Sequence, residues 1–211
     1  MEPDKSAGRI KGVIYDCDGV LFDSLEVNRK FYNQFCTNFG RPPLTEEELK
    51  YAHTHTTHEA LRFLFPQNPD LERQALALLS TLDPRETIGY LELEPNLLPA
   101  LNQLKEKGIF RAVNTNRSTS MKYIMERFHL EAYFDLVVTS LDVQNPKPHP
   151  ESIEKILKTL GLKPEETVFV GDSEIDRRAA RSAGVKFISY KNQEIPADAF
   201  IDDHLALLNY I

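Results

Sequence analysis

Two carboxylates, Asp16 and Asp18, follow the apolar run Val13-Ile14-Tyr15 and lead straight into Gly19. The apolar run reads as a short buried strand. Alternate residues at an extended strand end lie on the same side, so both carboxylates can face one small volume. Held that close they repel, and burial drives a proton onto one of them unless a cation lies between. A hard divalent ion such as Mg²⁺, which takes oxygen ligands and one or two carboxylates, meets that need. An aspartate so placed can also attack phosphorus covalently. Alone, the same residues read equally well as a strand ending in an acidic turn.

Three later segments share the form of an apolar strand running into polar residues. Phe110-Arg111-Ala112-Val113-Asn114-Thr115-Asn116-Arg117 ends in a hydroxyl and an amide, and Lys147 is pinned between Pro146 and Pro148 after the run Leu136 to Val138. Thr167 to Val170 runs into Gly171-Asp172-Ser173-Glu174-Ile175-Asp176, with a second aspartate four residues after the first. D-x-D-G, a strand-terminal Thr, a Lys and G-D-x-x-x-D, in this order from Asp16 to Asp176, resemble the haloacid dehalogenase-like superfamily, in its phosphatase branch. The Asp23-Ser24 pair and a helical stretch after it look most like the phosphoglycolate phosphatase-like group. The specificity-loop glycine often found there has no counterpart in Ala52 to Glu59.

That resemblance implies roles for these residues. Asp16 is the nucleophile that forms an aspartyl-phosphate. Asp18 protonates the leaving alkoxide and then activates the hydrolytic water; its presence favours phosphoryl over dehalogenase chemistry. Asp172 completes a Mg²⁺ shell with Asp16 and the main-chain carbonyl of Asp18. Thr115 and the Asn116 N–H bind phosphoryl oxygens, Lys147 neutralises charge on the nucleophile and the transferring group, and Asp176 orients Lys147 or a metal-bound water. The alternatives are a phosphomutase sharing every core motif and a non-catalytic degenerate member.

The elements that must position these groups fall into two patterns. From Ser24 to about Pro95 there are only helical patterns: Leu25 to Phe39, a start at Thr45-Glu46-Glu47-Glu48, His58 to Phe65 and Leu71 to Leu82. Thr45 with Glu48 three residues on fits a capping box. After Pro95, helices at Asn96–Lys107, Ser118–His129, Pro150–Leu160 and Asp176–Ala183 alternate with strands near Phe110–Asn114, Leu136–Val138, Thr167–Val170 and Val185–Ser189. Such alternation predicts an α/β fold, a parallel sheet with helices on both faces, whose ligand site lies outside the carboxyl ends of the strands. The resemblance adds that the sheet is a Rossmann-like, doubly wound core of residues 1–23 and 95–211, carrying residues 24–94 as an inserted all-helical cap.

Composition sets bounds. The chain has 211 residues, 41% hydrophobic and 27% charged, as an ordered globular protein does. A formal charge of −7 argues against a nucleic-acid or anionic-membrane surface. No apolar run reaches the length of a membrane span, and Met1 to Lys5 lack the apolar core of a leader. Two cysteines, Cys17 and Cys36, are too few for a disulfide scaffold. The cytoplasm is the expected compartment, a small phosphorylated molecule the expected partner, and a monomer or homodimer the expected state.

Other features take plainer readings. Alternation turns Cys17 away from its neighbouring carboxylates. His53, His55 and His58 fit no closed zinc site; they fall where related enzymes carry a specificity loop, so His55 and His58 are candidate substrate contacts. His149 reads as a neighbour of a helix N-cap, and Arg177, Arg178 and Arg181 as a solvated helix face.

Overall fold

The computed structural model describes residues 9–66 and 68–211; Met1 to Lys5 lie outside them. The chain opens with β1 (Gly12–Tyr15) and the short β2 (Phe22–Asp23). There follow α1 (Leu25–Asn38), α2 (Glu46–Thr54), α3 (Thr57–Leu64), α4 (Pro69–Thr81) and α5 (Pro84–Ile88), before β3 (Glu92–Leu93) returns to pair antiparallel with β2. Then come α6 (Leu97–Glu106), β4 (Phe110–Asn114), α7 (Ser120–Phe128), β5 (Leu136–Val138), α8 (Glu151–Leu160), β6 (Thr167–Gly171), α9 (Glu174–Ser182), β7 (Lys186–Tyr190) and β8 (Ala199–Ile201).

Six strands form one parallel sheet in the order β5-β4-β1-β6-β7-β8. The chain winds outward from β1 through β4 to β5, then crosses back to β6, so β1 sits at the switch in winding direction. Its residues alternate between faces: Val13 and Tyr15 join the core cluster that contains Leu101 and Ile124, while Ile14 joins the one that contains Ile153 and Phe187. Burying such a side chain contributes roughly 1.5–3 kcal/mol, which fixes the register against a one-residue slip. A third apolar cluster, with Tyr32, Phe35, Leu61 and Leu64, lies within the helical stretch.

Caps set the helix starts. Thr45 and Glu48 form the expected capping box, and Thr56 with Glu59 forms a second that begins α3. The two-residue β3 contradicts the expectation of no strand between Ser24 and Pro95; it is too short to show alternation. The five-residue α5 escaped the sequence pattern for the same reason, and β8, no shorter than β5, lies past the last strand expected from the sequence.

Candidate active site

β1, β4 and β6 are neighbours, and Tyr15 pairs with Val113 on one side and Val170 on the other. The residues just beyond these strand ends must therefore converge, and they carry Asp16, Thr115 and Asp172. Gly171 is required here: a Cβ on it would lie 2.6 Å from Cβ of Asp176. Asp176 is the third residue of α9, where its Oδ2 accepts from Ser173 Oγ at 2.6 Å and Ser173 N at 3.2 Å.

Lys147, 3% exposed, reaches between two of these carboxylates. Its Nζ donates to Asp16 Oδ1 and to Asp176 Oδ1, both at 2.6 Å. Burial alone would lower its pKa, but Asp16 and Asp176 outweigh burial and raise it, so the ammonium stays charged. Asp176 thus has both oxygens engaged, one on Lys147 and one on its own helix start.

Positive charge is nonetheless short. Burial raises the Asp16 carboxyl, against the pull of Lys147. Burial, then the charges of Asp176 and Asp16, push Asp172 well above the carboxylate range. Asp16, Asp172 and Asp176 each bring an oxygen within 4.8 Å of the others. An all-oxygen set that cannot ionise fully by itself fits a hard divalent cation such as Mg²⁺. Gly19 adjoins it at φ +75°, and a Cβ there would collide with the Asp172 carboxylate.

Asp18 is turned elsewhere. Its two oxygens accept from Arg117 Nε and Nη2, both at 2.6 Å, and Oδ1 also from Asn28 at 3.2 Å. Burial would raise its carboxyl, but the Arg117 guanidinium prevails and holds it down to about 2. A carboxylate so paired is ionised at neutral pH. The proton-donor role expected of Asp18 therefore requires this pair to open.

Thr115 Oγ1 accepts the Arg117 N–H at 3.0 Å, which leaves its own proton to donate. Asn116 spends its amide on a bridge: Nδ2 donates at 3.0 Å to the carbonyls of both Thr54 and Lys147. One core residue thus ties the end of α2 to the lysine loop. Among the histidines it is His53 that reaches the carboxylates, with Nδ1 2.9 Å from Asn28 Nδ2 and Nε2 3.9 Å from Asp172 Oδ2. His55 instead stacks on Tyr51, ring centroids 3.7 Å apart, with Nδ1 2.9 Å from the Tyr51 carbonyl. His58 is exposed on the rim of the same chamber. α2 ends at Thr54, so the chain turns between His53 and His55 and the two rings diverge. Sequence reasoning missed Arg117, Asn28 and His53. Cys17 is buried with its thiol pushed up, away from reactivity. His149 Nδ1 accepts from the Glu151 N–H at 3.2 Å, at the start of α8.

These groups floor a chamber of about 730 Å³ bounded on its other side by the helical stretch. No helix among the described residues is long and apolar enough to cross a membrane.

Residues 13–190 match the family model described as haloacid dehalogenase-like hydrolase. The chain is 29% identical to a pyrophosphatase PpaX from Halalkalibacterium halodurans, covering 84% of this chain and 81% of that one. It is 26% identical to phosphoglycolate phosphatase 1 from Pseudomonas aeruginosa, over 82% of this chain and 66% of the relative. A crystal structure of a HAD-superfamily hydrolase from Geobacter sulfurreducens superposes with a TM-score of 0.77 at 41% identity, covering 97% and 98% of the two chains.

Proposed function

The chain belongs to the haloacid dehalogenase-like hydrolases, and from that premise we propose that it is a Mg²⁺-dependent phosphatase working through an aspartyl-phosphate on Asp16. The substrate is a small phosphorylated metabolite, and the relatives' names put phosphoglycolate and pyrophosphate among the first to try. The observation that carries this reading is Lys147, held at 2.6 Å from both Asp16 and Asp176 at the mouth of the switch strand. A buried lysine so placed fixes the Asp16 carboxylate by one oxygen and offers charge to a transferring phosphoryl group.

Asp16 attacks phosphorus, forming a new P–O bond as the bond to the leaving oxygen breaks. Thr115, through its hydroxyl, and Asn116, through its N–H, hold phosphoryl oxygens. Arg117 is drawn toward the same oxygens, which frees Asp18 to take up a proton and pass it to the leaving alkoxide. Asp18 then removes a proton from the water that splits the acyl-phosphate, returning Asp16 and releasing phosphate. Bound by Asp16, Asp172 and the main chain of Asp18, with Asp176 at its flank, Mg²⁺ would offset carboxylate charge and polarise the phosphoryl group. Residues 24–94, which have an apolar cluster of their own, serve as a cap hinged on the β2–β3 pair, excluding water from the site. The cytoplasm remains the expected compartment, with a monomer or homodimer the expected state.

A phosphomutase would need cations on the cap to hold the second phosphate of a bisphosphate. Among the described residues of 24–94, no lysine or arginine lines the chamber, which argues against that reading. The degenerate reading loses ground because no expected catalytic residue is missing from the sequence. The test is Asp16→Asn, with phosphate release measured on a panel of phosphorylated metabolites. Wild type is expected to need Mg²⁺, to lose activity in EDTA and to be inhibited by Ca²⁺; the variant is expected to be inactive yet folded. Full activity in EDTA, or in the variant, overturns the mechanism.

A further inference from the structure

Resting on the phosphatase reading, we infer that the ester this enzyme cleaves has an uncharged leaving alcohol with an apolar face, too large to be a two-carbon acid. The chamber volume of about 730 Å³ is room for roughly two dozen waters at ~30 Å³ each. A phosphoryl group on Asp16 and Thr115 fills only its floor. Away from the floor the wall turns apolar: Val27 and Phe31 of α1, Leu76 and Leu79 of α4, Leu82 and Tyr123 line it and are only partly buried. Hydroxyls such as those of Thr57 and Ser80 also line it, and an apolar wall with a few polar groups is the usual make-up of a site for a ligand with an apolar body.

Charge points the same way. Among the described residues, Lys147 and Arg117 are the only lysine or arginine lining the chamber. Both already face carboxylates, Lys147 on Asp16 and Asp176 and Arg117 on Asp18. Four aspartates, Asp16, Asp18, Asp172 and Asp176, share that floor. Even with a divalent cation and both side-chain cations counted, a phosphate dianion leaves the site with no positive charge to spare. A second anionic group on the substrate, such as the carboxylate of glycolate or the other half of pyrophosphate, finds no lysine or arginine free of a carboxylate among the described lining residues and meets the like charge of the aspartates, which discriminates against it. An apolar alcohol gains instead from area removed from water along α1 and α4.

The experiment is a chain-length series with Mg²⁺: ethyl, butyl, hexyl and octyl monophosphates and 1-naphthyl phosphate, beside 2-phosphoglycolate and pyrophosphate. Each buried methylene is expected to raise kcat/KM about 3–4-fold until the wall is filled, with both anionic-tailed substrates at least about 10-fold below the hexyl ester. Leu79→Gln should lower the octyl-to-ethyl ratio of kcat/KM, and Val27→Thr, close to isosteric, should lower it too if the first variant does not fold. A flat chain-length series, an unchanged ratio in a folded variant, or phosphoglycolate or pyrophosphate exceeding every alkyl ester overturns the inference while leaving the phosphatase standing. Failure to hydrolyse any member of the panel overturns both.

Discussion

Replacing Asp172 with asparagine removes one of the carboxylates that crowd the chamber floor, at nearly constant shape. Burial and the neighbouring Asp176 and Asp16 charges push the Asp172 carboxyl well up in the metal-free protein. The native state therefore holds its proton more tightly than the unfolded chain, so wild-type stability falls as pH rises from the unfolded value toward the native one. Asparagine has no such dependence. In EDTA the variant should gain on wild type by up to about 1.4 kcal/mol per pH unit, or about 3–6 °C in Tm for a chain of this size. The side chain is 21% exposed to the chamber, so water screening makes that slope an upper bound. Magnesium reverses the order: at 100 times Kd, binding stabilises wild type by about 2.7 kcal/mol, near 5–11 °C, and leaves the variant nearly unmoved. Thermal unfolding at pH 6, 7 and 8, in EDTA and then with Mg²⁺, measures both effects. A variant no more stable than wild type in EDTA at every pH, or one that keeps the full Mg²⁺ shift, refutes the charge-shortage argument.

Lys147→Met strands two buried carboxylates and should cost about 3–5 kcal/mol as well as turnover; equal Tm values for variant and wild type would remove the lysine from the centre of the site. Arg117→Met tests the pair with Asp18, whose native pKa of about 2 lies below the unfolded value. The stability it gives wild type, about 2 kcal/mol, should be full above roughly pH 4 and fade as pH falls through the native value; acid unfolding curves that run parallel count against it. His53→Ala is expected to reduce kcat/KM on every ester, p-nitrophenyl phosphate included, whereas His55→Ala and His58→Ala spare that small ester; equal losses from all three would place the histidines in folding rather than at the site. Gly19→Ala should weaken Mg²⁺ binding at least about 10-fold, because its Cβ meets the Asp172 carboxylate at a positive φ; unchanged Mg²⁺ titrations would show that the loop yields.

The sheet and the convergence of Asp16, Thr115, Lys147, Asp172 and Asp176 were legible because each group follows a strand, and parallel strands bring their carboxyl ends together. Arg117 was nearly legible: it directly follows Thr115-Asn116 on the same loop, but its partner Asp18 lies in another motif, and no local spacing links them. Asn28 and His53 reach the site only through the packing of α1 and α2 over the sheet. The Thr56-Glu59 capping box was visible as a T-x-x-E pattern. Reading it would have ended α2 before His55 and pointed to His53 as the inward residue. β3 and α5 are too short for hydrophobic periodicity to register.

The placing of β1 also says something about how the chain comes to exist. Gly12 pairs with Phe110 on one side and Thr167 on the other, so the central strand is synthesised well before either neighbour and is among the last to be paired on both sides. The helical stretch between them closes its apolar cluster from local contacts, which form sooner than pairings across long loops. A ribosome-bound chain should therefore carry an ordered helical lobe beside an apolar β1 that lacks both neighbours until β4 emerges and lacks β6 until residue 171 does. That interval exposes a strand edge to other chains, and arrest at successive lengths would show the hydrolase site appearing in one step rather than by degrees.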